Sequence, residues 1–172
     1  HTMCGALAES KACKIMIDHH EDPDDFCDQI LSNPSVGSTA ELIYDFILNI
    51  EGEMTQQISI CLYTGIITDT GSLKYPNVTQ KTHNVVSELI RFNIGHAKIH
   101  EMLYDSQNKS RLSLLKICLN NLKFFDDYGA AVTFLMESDL MKYNYQKGDT
   151  EGFVNIPLSV RGVFFSAFFV QF

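Results

Sequence analysis

The stretch "KIMIDHHEDPDDF", residues 14–26, decides how the rest of the chain is interpreted. Residues 13–17 predict a buried strand, and Asp18, His19 and His20 follow it directly. The two adjacent histidines cannot both face the core, because successive side chains of an extended chain point to opposite sides. In open α/β sheets ligands bind at the carboxyl ends of strands, where these residues are expected to lie. The stretch therefore indicates either a metal or catalytic site, or an exposed turn.

The chemistry of these side chains suits a divalent transition metal such as manganese, zinc or iron. One imidazole of the pair can bind metal while the other faces a substrate, and Asp18 can accept a ring N–H and fix a tautomer. A second stretch, "GIITDTGSLKY", places Asp69 at the end of an apolar segment, where a charge needs a partner. A tight turn is the competing interpretation, because Gly71 tolerates a positive φ.

The composition narrows the classes of function. The chain has 172 residues, 13 Lys and Arg, 21 Asp and Glu, and a net charge of −8. Such a chain does not bind long nucleic acid through a general basic field. Five cysteines without a C-x-x-C pair favour reduced thiols in the cytoplasm, and no apolar run approaches the ~20 residues of a membrane helix.

The pattern along the chain predicts an α/β fold with a parallel sheet, in which a single early strand is followed by helices and the other strands lie upstream. The character changes from helix-rich to strand-rich near residue 125. Residues 108–124 are predicted to form a helix that links two domains. Its expected apolar face is made of four leucines: Leu112, Leu115, Leu119 and Leu122.

The two polar motifs together resemble the DHH phosphoesterase family. "DHH" is followed by "TDTGSLKY", with His19 and Asp69 fifty positions apart, and "PSVGSTAEL" lies between them in the family's order. The stretch "GDTEGFVN" is similar to the bifunctional oligoribonuclease and 3′-phosphoadenosine 5′-phosphate (pAp) phosphatase branch. Leu73 departs from the pattern, because an aromatic residue is common there.

The resemblance implies a domain organisation. Residues 1–107 would be the second half of a DHH domain, 108–124 a linker helix, and 125–172 the start of a DHH-associated C-terminal domain. The family's N-terminal acidic motif, His-x-Asn-x-Asp-x-Asp, a further bridging Asp and the C-terminal Gly-Gly-Gly-His motif do not occur in these residues. We therefore expect a piece of a longer protein.

The resemblance also implies roles for single residues. His19 and Asp69 would bind manganese, with two ions in the complete site. His20 would face the scissile phosphate as a catalytic group, and Asp18 would support it.

Three further side chains are candidates for substrate binding. Ser38 and Thr39 open a predicted helix, whose free N–H groups could hold a phosphate, although simple capping explains them as well. Arg111 begins the predicted linker helix and could reach a substrate phosphate, although a solvated helix face is the alternative.

These expectations predict a manganese-dependent phosphoesterase that degrades short oligonucleotides to mononucleotides and removes the 3′-phosphate of pAp. One alternative is a phosphodiesterase for cyclic or linear dinucleotides, and another is a non-catalytic scaffold of the same fold. The predicted partners are short oligonucleotides or pAp, with a homodimer left open and no membrane.

Overall fold

The chain forms two compact units, His1–His100 and Glu101–Phe172. The computed structural model describes residues 4–23 and 26–171. No helix in this described part of the chain is both long and apolar enough to cross a bilayer.

The first unit combines two parallel strands with five helices among its described residues. In chain order these are α1 Cys4–Glu9, β1 Ile15–Asp18, β2 Gln29–Ser32, α2 Thr39–Asn49, α3 Gln56–Asp69, α4 Gln80–Ile90 and α5 His96–His100. The two strands pair in register, from Ile15 opposite Gln29 to Asp18 opposite Ser32. The predicted α/β class with a parallel sheet is confirmed.

The second strand corrects the prediction of a single early strand. Strand β2 is only four residues long and lies in a polar surrounding, and Ile30 and Leu31 keep exposed side chains. A short strand whose apolar residues are not buried lacks the hydrophobic pattern by which strands are recognised in a sequence.

The core of the first unit lies between helices α2, α3 and α4. Its buried side chains include Leu42, Ile66, Ile67, Val85 and Leu89. Each of these helices begins with a hydroxyl cap, since Ser38, Thr55 and Thr79 accept a hydrogen bond from the backbone N–H three residues on. The caps satisfy backbone donors that would otherwise lack partners at the helix starts.

Two details of these helices differ from the sequence patterns. The spacing of Leu42, Phe46 and Ile50 predicts one apolar stripe, but only Leu42 is buried and the other two side chains are exposed. A glycine after an amphipathic segment predicts that Gly95 caps the end of α4, but this helix ends at Ile90. Gly95 has a φ of +65° and its carbonyl accepts from the N–H of Lys98, so it introduces α5 instead of capping α4.

The second unit is a three-stranded mixed sheet with helices. It contains a π-helix Glu101–Asp105, α6 Lys109–Asn120, β3 Lys123–Phe125, β4 Ala130–Leu135, α7 Glu137–Lys142 and β5 Phe165–Val170, with 3-10 turns at Asp126–Tyr128, Phe153–Asn155 and Pro157–Ser159. The sheet order is β3-β4-β5, with an antiparallel and then a parallel pair.

Helix α6 belongs to the core of this unit. Its buried side chains are Leu114 and Cys118, which pack with Leu135, Leu140 and Phe153. The predicted helix over 108–124 ends four residues early, and β3 occupies residues 123–125. The helix therefore lies inside the second unit and does not form a separate linker, because its apolar residues pack on β4 and α7.

The predicted apolar face of α6 was also wrong. Leu112 and Leu119 are 59% and 49% exposed, whereas Leu115 only partly packs against the core cluster. The true inner face passes through Leu114 and Cys118. Both faces satisfy helical spacing, and the position of the sheet selects between them.

Strand β5 likewise has one face that packs against the core and one that is exposed. Phe168 packs edge-on against Phe153, with ring centroids 6.1 Å apart. The repeated phenylalanines predict core positions for Phe164, Phe165 and Phe169. Instead, Phe165 and Phe169 are exposed, and so is Phe164, which precedes the strand. Alternation along a strand turns successive side chains to opposite faces, so only one set reaches the cluster.

Candidate active site

The site is built from two loops and one helix end of the first unit. His19 and His20 follow strand β1, and Asp69 is the last residue of helix α3. The His19 Nε2 atom lies 3.6 Å from Asp69 Oδ2. The predicted convergence of His19 and Asp69 is thus confirmed, despite the fifty residues between them.

Asp18 organises the backbone and the ring that follow it. Its Oδ1 atom accepts hydrogen bonds from the N–H groups of His19 at 2.8 Å and His20 at 3.3 Å. The same oxygen lies 2.7 Å from His20 Nδ1. These hydrogen bonds lower the pKa of the Asp18 carboxyl and keep it ionised, and the bond from the His20 side chain has the largest effect. The charged Asp18 therefore binds the Nδ1 side of the His20 ring, and Nε2 lies on the side of the ring away from Asp18.

The two imidazoles lie side by side but differ in exposure. Their ring centroids are 4.7 Å apart. The side chain of His20 is 76% exposed, whereas that of His19 is 18% exposed. His19 Nδ1 lies 3.5 Å from the carbonyl oxygen of Val36. A carbonyl only accepts, so the tautomer with its proton on Nδ1 can donate to Val36 and frees the Nε2 lone pair, which faces Asp69, for a metal ion.

The backbone after Asp69 is held in an uncommon conformation. Gly71, Ser72 and Leu73 have φ angles of +56°, +59° and +65°. The left-handed region is costly for the two residues that carry a Cβ. The fully buried Thr70 stabilises the turn, since its hydroxyl donates to the Ile66 carbonyl and accepts from the N–H of Leu73. The turn fixes where α3 ends and hence where Asp69 lies.

The donor set fits a divalent metal ion. Ligand atoms about 2.1 Å from one ion lie about 3 to 3.5 Å apart at octahedral or tetrahedral angles, close to the observed separation of Nε2 and Oδ2. Asp69 also places its negative charge at the carboxyl end of a helix, where a cation is favourable and an anion is not. Among the residues that the structure describes, no three His, Cys, Asp or Glu side chains form such a group. The described residues thus provide part of a site.

The three proposed substrate-binding residues lie in different settings. Ser38 is fully buried and caps α2 through the N–H of Glu41, so its hydroxyl does not face solvent. Thr39 is the partly buried first residue of α2 and stays a prediction. Arg111 belongs to the second unit.

The contacts of Arg111 assign it a structural role. Its guanidinium donates to the carbonyls of Asp149 at 2.9 Å and Glu151 at 2.8 Å, and it lies 4.8 Å from the centre of the Phe153 ring. Asn108 adds a hydrogen bond of 2.7 Å to the Asp149 carboxylate. The loop around "GDTEGF" is therefore held to the start of α6, and these donors are occupied within the unit.

One element of the site was not predictable from the sequence motifs. The loop that contains Val36 and Gly37 passes between the two motifs, and the buried Glu41 accepts from the Gly37 N–H at 3.3 Å. The S-x-x-E spacing predicted a capping box, in which the Glu41 carboxylate would bond the N–H of Ser38. Half of that box is present, but the carboxylate reaches one residue further back.

A comparison with known families fits this arrangement. Residues 4–66 match the model described as "DHH family, N-terminal domain". The matched range contains the Asp18-His19-His20 sequence and stops just before Asp69.

Individual relatives cover both units of this chain. The "Probable bifunctional oligoribonuclease and PAP phosphatase NrnA" of Streptococcus mutans is 32% identical over 91% of the chain and 50% of its own length. The Bacillus subtilis bifunctional oligoribonuclease and PAP phosphatase NrnA is 28% identical over 94% of the chain and 52% of its own length. The chain spans about half the length of these curated relatives.

A solved structure is similar over nearly the whole chain. An exopolyphosphatase-related protein from Bacteroides fragilis superposes with a TM-score of 0.93 and 38% sequence identity. The match covers 98% of this chain and 50% of that protein.

Proposed function

We propose that the chain is part of a metal-dependent phosphoesterase, with manganese as the metal, that hydrolyses short oligonucleotides to mononucleotides and removes the 3′-phosphate of pAp. The single observation that carries this proposal is the 3.6 Å approach of His19 Nε2 to Asp69 Oδ2 beside a second, exposed imidazole. The DHH family match and the printed names of the relatives support the same substrate class.

The proposed site assigns a different task to each side chain. His19 and Asp69 would hold a divalent ion, and a second ion would need ligands from elsewhere in the protein. When bound, such ions neutralise phosphate charge and make water a stronger nucleophile. Metal binding also explains how a chain with a net charge of −8 handles phosphates.

His20 is proposed to act on the substrate directly. Its ring is 76% exposed, and the ionised Asp18 holds its Nδ1 edge. Nε2 is then free to donate a hydrogen bond or a proton to a phosphate oxygen or to the leaving oxygen. Asp18 accepts from the Nδ1 side of the ring, so a proton that His20 transfers as the general acid leaves from Nε2.

The experiment that tests this function compares three substrates with the intact protein in manganese. We expect release of mononucleotides from a trinucleotide and of inorganic phosphate from pAp, both faster than cleavage of a cyclic dinucleotide. Preferential cleavage of the cyclic dinucleotide would support the phosphodiesterase alternative. No turnover of any of the three, with manganese bound, would support the scaffold alternative.

A cytoplasmic location is part of the same proposal. Cys13, Cys27, Cys61 and Cys118 are all free thiols in the described part of the chain. Reduced thiols and nucleotide substrates both suit the cytoplasm.

A further inference from the structure

Glu41 is a buried carboxylate that no proposed step uses. Its side chain is 1% exposed, and no Lys or Arg among the described residues forms an ion pair with it. Burying a carboxylate is costly unless hydrogen bonds compensate. Two donors converge on a single oxygen, Oε1: the N–H of Gly37 at 3.3 Å and the hydroxyl of Thr82 at 3.1 Å.

Gly37 is packed from three sides at the point where Glu41 holds it. A Cβ placed on Gly37 would lie 3.0 Å from the Thr70 methyl group, 3.1 Å from Glu41 Oε1 and 3.6 Å from the Asn77 carbonyl oxygen. Thr70 directly follows Asp69 in the chain. The Gly37 backbone therefore packs against the turn that carries one of the two proposed metal ligands.

The preceding residue contacts the other ligand. The Val36 carbonyl oxygen lies 3.5 Å from His19 Nδ1. A hydrogen bond to one ring nitrogen sets which nitrogen carries the proton and which can bind a metal. The segment Val36–Gly37 thus contacts the ring of His19 on one side and the turn after Asp69 on the other.

We infer that Glu41 is a positioning residue, which holds the Val36–Gly37 backbone so that His19 keeps its proton on Nδ1 and presents Nε2 towards Asp69. The chain of contacts runs from Thr82 through Glu41 and the Gly37 N–H to the Val36 carbonyl and His19. This inference rests on the proposed metal site, but it concerns the metal-free ring and does not depend on the substrate.

The test reads the tautomer of His19 in the intact, metal-free protein above the titration range of imidazole. Long-range ¹H–¹⁵N correlation spectra distinguish Nδ1–H from Nε2–H. We expect Nδ1–H in the native protein and in Glu41→Gln, because the amide oxygen can take the place of Oε1. We expect a mixture or Nε2–H in Glu41→Leu, together with a loss of manganese affinity of about 10- to 100-fold.

The matched control is Thr133→Val in the second unit. Thr133 is also buried and donates one hydrogen bond, to the Cys118 carbonyl. This variant removes a buried hydrogen bond without touching the site, so it should leave the His19 tautomer and the manganese affinity unchanged. If Glu41→Leu does not fold, Gly37→Ala provides the same test, since the added methyl group would lie 3.0 Å from the Thr70 methyl group and 3.1 Å from Glu41 Oε1 and so perturbs the packing of the segment.

Two outcomes would overturn the inference. One is an unchanged Nδ1–H tautomer and unchanged manganese affinity in Glu41→Leu, or in Gly37→Ala where that variant is used. The other is a Glu41→Gln variant as impaired as Glu41→Leu. Correct tautomers in a protein that hydrolyses none of the nucleotide substrates would contradict the proposed function while supporting the role of Glu41.

Discussion

His19 and His20 are neighbours in sequence but have different environments. His19 is largely buried, bonded to the Val36 carbonyl and directed at Asp69, whereas His20 is exposed and bonded to Asp18. The two rings lie side by side beyond the end of β1, yet each meets its own partner. We therefore expect substitutions of His19 and of His20 to affect different properties, metal binding and turnover.

Replacing His20 should affect turnover more than metal binding. We expect His20→Ala in the intact protein to lower kcat by about 10²- to 10⁴-fold, the range for loss of a general acid or base, while manganese affinity stays unchanged. Calorimetric titration and steady-state kinetics measure the two quantities. His83→Ala, at another exposed histidine of the first unit, is the control. A fall in manganese affinity in His20→Ala equal to that in His19→Ala would contradict this division of roles.

Cys118 provides a prediction about protonation. Burial raises the pKa of its thiol to about 11. The thiolate is the reactive form, so a raised pKa keeps Cys118 neutral and unreactive until the pH approaches that value. At pH 8 iodoacetamide should modify the exposed Cys13 and Cys61 but not Cys118, as measured by peptide mass spectrometry. Equal labelling of Cys118 and Cys61 in the folded protein would show that α6 does not bury this thiol.

For single residues, the sequence predicted that His19 and Asp69 converge, but it did not predict that Glu41 holds the segment between them. His19 and Asp69 could be found because each ends an apolar segment with a polar side chain. Glu41 could not, because S-x-x-E is ordinarily a local capping pattern. Its bond to Thr82 crosses forty-one positions, and no local pattern predicts such a contact.

Among the helices, α6 gives a direct test of which face is buried. Leu114 is fully buried against β4 and α7, and Leu112 is 59% exposed on the same helix. We expect Leu114→Ala to lower the free energy of unfolding by about 2 to 5 kcal/mol. Leu112→Ala should change it by less than about 0.5 kcal/mol.

Urea denaturation of both variants measures the two changes on one element of secondary structure. Helix propensity cannot separate them, since both replace leucine by alanine in the helix. Similar losses of stability in the two variants would mean that the leucine face predicted from spacing is buried after all.

The elements themselves differed in how well the sequence specified them. Helices α2, α3 and α4 begin at Ser, Thr and Thr caps and have buried apolar residues at helical spacing, so their existence was predictable. Strands β2 and β3 are three or four residues long and largely exposed. They are formed by pairing with β1 and β4, which is a tertiary property and leaves little trace in the local sequence.

The net negative charge of the chain predicts a preference for short oligonucleotides over long strands. Proteins that bind long strands neutralise many phosphates with Lys and Arg, whereas this chain has a net charge of −8. A trinucleotide has few phosphates to neutralise, whereas each further phosphate of a long strand adds repulsion from an acidic chain.

We therefore expect a higher kcat/KM for a trinucleotide than for a strand of about twenty nucleotides at fixed salt and manganese. The comparison uses the intact protein, so that any basic surface outside these residues is included. Equal or faster turnover of the long strand, with binding that weakens steeply as salt rises, would indicate an exonuclease with an extended binding track.

The α/β class was predictable from the order of segments, and the position of the boundary between units was not. The sequence changes character near residue 125, where strands become frequent, but the two units divide between His100 and Glu101. The division depends on helix α6, whose buried residues Leu114 and Cys118 join the core of the second unit. The composition of a segment does not show which of two hydrophobic cores a helix packs into.

The central claim is that His19 and Asp69 bind the metal ion on which phosphoester hydrolysis depends. The most direct measurement is the rate of mononucleotide release from a trinucleotide by the intact protein, titrated with manganese, for the native protein and Asp69→Asn. We predict saturable activation by manganese, no turnover in a chelator, and a manganese requirement raised by about 100-fold or more in Asp69→Asn. Undiminished turnover in the chelator, or superimposable manganese titrations of the two proteins, would contradict the account.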